Sequence, residues 1–126
     1  MDYRLSEDSR RLIGVKSSLI YAKIPDSVTE INGWAFFGCD IMDTLIMSKN
    51  VEYLQGYISC PKLSHLSMPN VSKISKCVLV DCKNLIEIET KLSKQELISA
   101  FGSKEIYNKY IQRNRDYKLK KMKDGL

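Results

Sequence analysis

Between residues 39 and 90 the spacing of apolar positions repeats one short phrase three times. The copies are Cys39-x-x-Met42-x-x-Leu45-x-Met47, Cys60-x-x-Leu63-x-x-Leu66-x-Met68 and Cys82-x-x-Leu85-x-x-Ile88-x-Thr90, with starts 21 and 22 residues apart. A period of roughly 20–29 residues marks a solenoid in which each coil carries one short strand. The end of each phrase alternates. This predicts that Leu45 and Met47 point into the core while Thr44 and Ile46 point out. No coil can bury its apolar edge alone, so stacking must supply the core and align the strands as a parallel sheet.

An earlier stretch shares the phase. Leu19-x-x-Ala22-x-Ile24 precedes Pro25-Asp26-Ser27-Val28-Thr29-Glu30-Ile31-Asn32-Gly33-Trp34-Ala35-Phe36-Phe37-Gly38-Cys39. Pro25 ends the strand because it has no N–H for the ladder. Val28 and Ile31 are expected to turn inward on a second side, and Ala35-Phe36-Phe37 to fill a third before Cys39 restarts the cycle. The next coil keeps Val51 and Leu54, with Ser48 in the proline position and Gly56-Tyr57-Ile58-Ser59 before Cys60. The last coil restores Pro69, Val71 and Ile74, and closes through Val78-Leu79-Val80-Asp81 before Cys82. The phrase IPDSVTEINGWAFFGC closely resembles the BspA-like leucine-rich repeats, whose units read approximately I-P-x-S-V-x-x-I-x-x-x-A-F-x-G-C-x-x-L. The resemblance covers residues 19–90 and, more loosely, 3–18. It implies a leucine-rich repeat β-solenoid of about four coils in the α/β repeat class, with short parallel strands and a protein-binding role. Members of the family are often large bacterial surface proteins or occur in protists. A short chain with no leader departs from that pattern and points equally to an intracellular adaptor of bacterial or phage origin.

A solenoid needs both ends covered. Residues 1–18 read as an N-terminal β-hairpin cap: Tyr3 and Leu5 alternate with polar neighbours, Ser6-Glu7-Asp8-Ser9 supplies a turn, and Leu12 to Val15 return. Beyond the solenoid of residues 19–90, residues 91–126 read as a C-terminal α-helical cap and basic tail. Ser93 is placed to cap a helix over 94–101, and Gly102 to end it. Ser103 is placed to cap a second helix running to about Lys123. Ile106, Tyr107, Tyr110 and Ile111 give that helix an apolar stripe in its first half. From Gln112 onward the charge density predicts a segment that projects into solvent or frays.

Charge sharpens this division. The net charge is +5, and residues 1–103 carry twelve basic and twelve acidic side chains, so the whole excess lies in residues 104–126. That distribution suggests a local basic tail. No stretch approaches the roughly 18 apolar residues of a membrane span, and MDYRLSEDSRR is too polar for a secretory leader. If Met1 is the native start, the expected location is the cytoplasm; a trimmed chain would be extracellular. Cys39, Cys60 and Cys82 share one phase and are expected to stack as small buried groups. A zinc site using them with His65 or Cys77 would need ligands on three coils to converge, and no C-x-x-C pair is present. No metal or cofactor is therefore expected.

An enzyme is not expected either. There is one histidine, no nucleophile elbow, no phosphate-binding glycine loop and no paired-carboxylate motif. Glu87 and Glu89 share the outward face of one strand, where solubilising charge accounts for them. The candidate sites are two. The outward strand positions Tyr21, Lys23, Thr44, Ile46, His65, Ser67, Glu87 and Glu89 form a ladder graded from basic-aromatic through neutral to acidic, which suits a protein partner. Arg113, Arg115, Lys118, Lys120, Lys121 and Lys123, interleaved with Tyr110 and Tyr117, are of the types that contact phosphates and stack on bases, so nucleic acid is the alternative partner.

Overall fold

The computed structural model describes residues 1–125. Its strands run β1 Tyr3–Leu5, β2 Arg11–Val15, β3 Tyr21–Lys23, β4 Glu30–Ile31, β5 Thr44–Ile46, β6 Tyr53–Leu54, β7 His65–Met68, β8 Lys73–Ile74 and β9 Glu87–Thr90. Two helices follow, α1 Lys94–Phe101 and α2 Lys104–Asp124. The main sheet has the order β3-β5-β7-β9 and is parallel throughout. Its register matches the repeated phrase: Ala22, Leu45, Leu66 and Ile88 stand side by side. Leu45 and Leu66 are buried, as are Ile24, Met47 and Met68 two positions further on.

The second side is held by shorter pairings. β6 and β8 run parallel, placing Leu54 beside Ile74. The hairpin β1-β2 is antiparallel, and β2 also pairs with β4 in parallel, setting Leu12 beside Ile31. The hairpin is therefore both a cap and the first rung of this side. Polar side chains tie the coils together between the strands. Ser48, standing where another coil has proline, is buried and donates to the Val28 carbonyl at 2.8 Å. Asn50 donates to the Asp26 carbonyl at 2.6 Å and Asn70 to that of Lys49 at 2.8 Å, each reaching the coil before its own.

The third side departs from expectation at one residue. Ala35 and Phe36 are buried, but Phe37 is 72% exposed. The cause is a tight turn in which the Phe37 N–H donates to the Trp34 carbonyl at 3.0 Å. Residues three apart in such a turn eclipse one another, so Phe37 follows Trp34 outward. Cys39, Cys60 and Cys82 are buried free thiols on successive coils. A hydrogen bond to Cys39, together with burial, pushes the Cys60 thiol up, and burial pushes Cys82 up to about 12, so both stay protonated.

The open end of the last coil is closed by helices. Ser93 and Glu96 form a reciprocal capping box at the start of α1, and Gly102, in the left-handed conformation, ends it. The last carbonyls of a helix lack intrahelical partners. Here those of Ser99 and Ala100 accept from the N–H groups of Cys77 and Leu79 at 3.0 and 2.9 Å. The end of α1 thus takes the place of a further coil. Leu97, Ala100, Phe101, Tyr107 and Tyr110 cover the core, with Phe101 stacked on Tyr110 at 5.2 Å.

Leu66 is the central rung, 2% exposed and flanked by Leu45 and Ile88. Leu66→Ala should cost about 2–5 kcal/mol, measured as a shift in urea midpoint; unfolding at the parent's midpoint would contradict the register.

Candidate functional site

The outward positions of the main sheet form two rows, Tyr21-Thr44-His65-Glu87 and Lys23-Ile46-Ser67-Glu89. All eight predicted face residues are brought onto one surface. A groove of about 370 Å³ crosses it, lined by Asp43, Thr44, Ile46, His65, Ser67, Glu87 and Glu89, with Leu45 and Leu66 beneath. Tyr21 and Lys23 lie beyond its lining, exposed on the first strand. Asp43 is a member that the alternating pattern does not mark, because it precedes β5.

Asp43 anchors the floor. The hydroxyls of Ser64 and Thr44 donate to its two carboxylate oxygens at 2.7 and 2.9 Å. These bonds hold its pKa below the ordinary carboxylate value. Ser64 Oγ also lies 2.8 Å from His65 Nδ1, and His65 Nε2 lies 3.4 Å from the Tyr117 hydroxyl. The single hydroxyl proton of Ser64 is spent on Asp43, so Nδ1 carries a proton and donates to Ser64. In the neutral ring, Nε2 is left to accept from Tyr117. The order runs Tyr117, His65, Ser64, Asp43, and it orients the imidazole without activating the serine. Ser67 donates to Glu89 at 3.0 Å, fixing the acidic end of the second row.

Tyr117 comes from α2, which overturns part of the expectation for that helix. Residues beyond Gln112 were expected in solvent, yet Arg113, Asn114 and Tyr117 extend the buried stripe of Tyr107 and Tyr110. Arg113 Nε donates to the Leu85 carbonyl and Asn114 Nδ2 to that of Ile86, both at 2.7 Å. The Tyr117 ring meets His65 edge-on at 5.6 Å. Docking therefore persists to Tyr117 through polar contacts, which a search for apolar periodicity does not detect. Burial lowers the pKa of Arg113. Of the six basic candidates, Arg113 is committed to the sheet, while Arg115, Lys118, Lys120, Lys121 and Lys123 are exposed. Lys121 reaches back over the Tyr117 ring at 5.8 Å.

Both edges of the sheet are occupied. The Tyr3 hydroxyl accepts from the Lys23 N–H at 2.8 Å on β3. Directly before β9, Arg113 and Asn114 of α2 bind the carbonyls of Leu85 and Ile86. Burial raises the pKa of the Tyr3 phenol and of the Tyr110 phenol on α2. Unpaired edge amides invite another strand; the hairpin at β3 and α2 beside β9 stand in that route and leave the face as the accessible surface. No helix among the described residues is long and apolar enough to cross a membrane, and no group of three or more potential metal ligands is found among them.

Comparison with known proteins agrees with this geometry. Residues 15–116 match the family model described as a BspA-type leucine-rich repeat region of six copies. The chain belongs to the BspA-type leucine-rich repeat family. The match begins at the last residue of the hairpin and runs through α1 and into α2, so α1 and the first part of α2 fall within it while the hairpin lies before it. Comparison with curated proteins and with solved structures gives no match. Leucine-rich repeats generally mediate protein–protein interaction.

The two kinds of basic residue on α2 of this BspA-type protein should separate in urea unfolding. Arg113→Ala should lower stability by about 1–3 kcal/mol, because it strips a partner from a half-buried carbonyl. Lys120→Ala should stay within about 0.5 kcal/mol of the parent. Equal effects would contradict the docking of α2.

Proposed function

We propose that this BspA-type solenoid is a non-catalytic interaction module that binds a protein through the outward face of its four-stranded sheet. The observation carrying this reading is the groove over β5, β7 and β9, whose floor is held rigid by the Asp43–Ser64–His65–Tyr117 hydrogen bonds. A surface already ordered loses little side-chain freedom on binding. The edges flanked by Tyr3 and by α2 favour docking on the face over strand addition. Asp43, Glu87 and Glu89 give the groove an acidic lining, while Tyr21 and Ile46 offer apolar contact nearby. A partner with a lysine or arginine flanked by apolar residues suits that arrangement. With about four coils the face is the size of one modest interface.

The exposed cations from Arg115 to Lys123 support a second reading, binding of nucleic acid by the free end of α2. Capture from nuclease-treated and untreated lysate of the native host separates the two. Full-length protein should retain a discrete protein partner after nuclease. Ile46→Asp combined with Glu89→Lys should lose it, and a chain ending at Tyr117 should keep it. Recovery that disappears with nuclease, or with the truncation alone, would transfer the function to the basic end of α2.

A further inference from the structure

The third side of the solenoid carries a surface that neither the repeat pattern nor the sheet face explains. Trp34 is 63% exposed and Phe37 72%, and both lie against each other with ring centroids 6.4 Å apart. Tyr57, from the next coil, lies 5.8 Å from Trp34. Three aromatic rings in contact and facing water form a contiguous apolar shelf, and such patches mark interaction sites.

The backbone holds this shelf in place. Gly56 sits at φ +83°, and a Cβ there would run into the Cα and carbonyl of Gly33. The Tyr57 N–H donates to the Gly33 carbonyl at 3.1 Å. The two coils therefore meet backbone to backbone directly before Trp34 and Tyr57, which sets their rings side by side. The Asn32 side chain accepts from the Trp34 N–H at 3.0 Å and fixes the turn from below.

Beside the shelf a groove of about 520 Å³ is lined by Arg4, Ile13, Val15, Asn32, Trp34 and Phe37, with no acidic side chain in its lining. Arg4 lies flat across Gly14, where any Cβ would collide with the guanidinium. Among the described residues Arg4 makes no ion pair. A free cation held in a shallow apolar groove calls for a carboxylate, and guanidinium forks bind carboxylates in a fixed geometry. We infer that the Arg4–Trp34–Phe37–Tyr57 surface is a docking site for an extended peptide that presents a carboxylate beside apolar side chains. It is separate from the sheet face and opposite to it in charge. A second copy of this chain is a poor occupant by its own free helix end, because that segment is basic like Arg4.

Trp34 is the single tryptophan of the chain, so its emission reports this site alone. The full-length protein is titrated with a short blocked peptide alternating aspartate and leucine, and with matched peptides carrying asparagine or lysine for aspartate. The aspartate peptide should change Trp34 emission saturably and bind about tenfold more tightly than the asparagine peptide. Arg4→Gln should abolish that difference while leaving the asparagine peptide unaffected. Phe37→Ala removes an exposed ring, so its melting should match the parent while its affinity falls about tenfold. The proposal is overturned if the aspartate peptide gives no saturable change, if the lysine peptide binds equally well, or if Arg4→Gln changes nothing. It is also overturned if emission shifts with protein concentration alone and sedimentation shows a dimer, which makes a second copy the occupant.

Discussion

Every feature of this protein depends on one coil stacking in register upon the next. A single coil presents an apolar edge and a row of unpaired amides, and neither is tolerable in water. Placing Leu45 beside Leu66 and Ile88 removes both problems at once, since the same register buries the side chains and closes the ladder. The polar contacts follow the same logic: Ser48, Asn50 and Asn70 each donate to a carbonyl of the preceding coil, and the Ser48 bond is buried. Stacking leaves two ends, however, and a stack of about four coils has a large share of its surface there. The hairpin, α1 and α2 answer that constraint with backbone bonds where they can and side-chain bonds where they cannot.

The coils were legible in the sequence because two periodicities coincide. A repeat of 21 and 22 residues sets the coil, and alternation within each phrase sets the face of Leu45 against that of Thr44 and Ile46. The helices were legible from their punctuation, Ser93, Gly102 and Ser103, since these residues act through local backbone geometry. Contacts made by polar side chains to distant backbone were not legible. Arg113 and Asn114 look like solvated helix residues, yet their long donors reach carbonyls 28 positions earlier in the chain. Phe37 failed for the opposite reason: its apolarity suggested burial, and a tight turn presents it to water. The approach of Gly56 to Gly33 is visible only once two coils are placed side by side.

For function, the end caps matter as much as the repeat. Tyr3 and α2 flank the edges of the main sheet, so the accessible part of this BspA-type protein is its faces. One face is acidic and mounted on a hydrogen-bonded floor; the other is aromatic and holds a free guanidinium. α2 joins cap to face, because the residues that close the last strand continue into Tyr117, which sets His65 at the groove. Beyond Tyr117 the helix is exposed and carries its charge away from the sheet. The candidate faces are thus divided by charge as well as by position.

The most direct test of this account compares equilibrium urea unfolding of the full chain with chains ending at Tyr117 and at Ser103. If α2 is the seal, ending at Tyr117 preserves a single cooperative transition near the parent's midpoint, while ending at Ser103 exposes Phe101 and the β9 edge and abolishes cooperative unfolding. A chain ending at Ser103 that unfolds cooperatively at the parent's midpoint would contradict it.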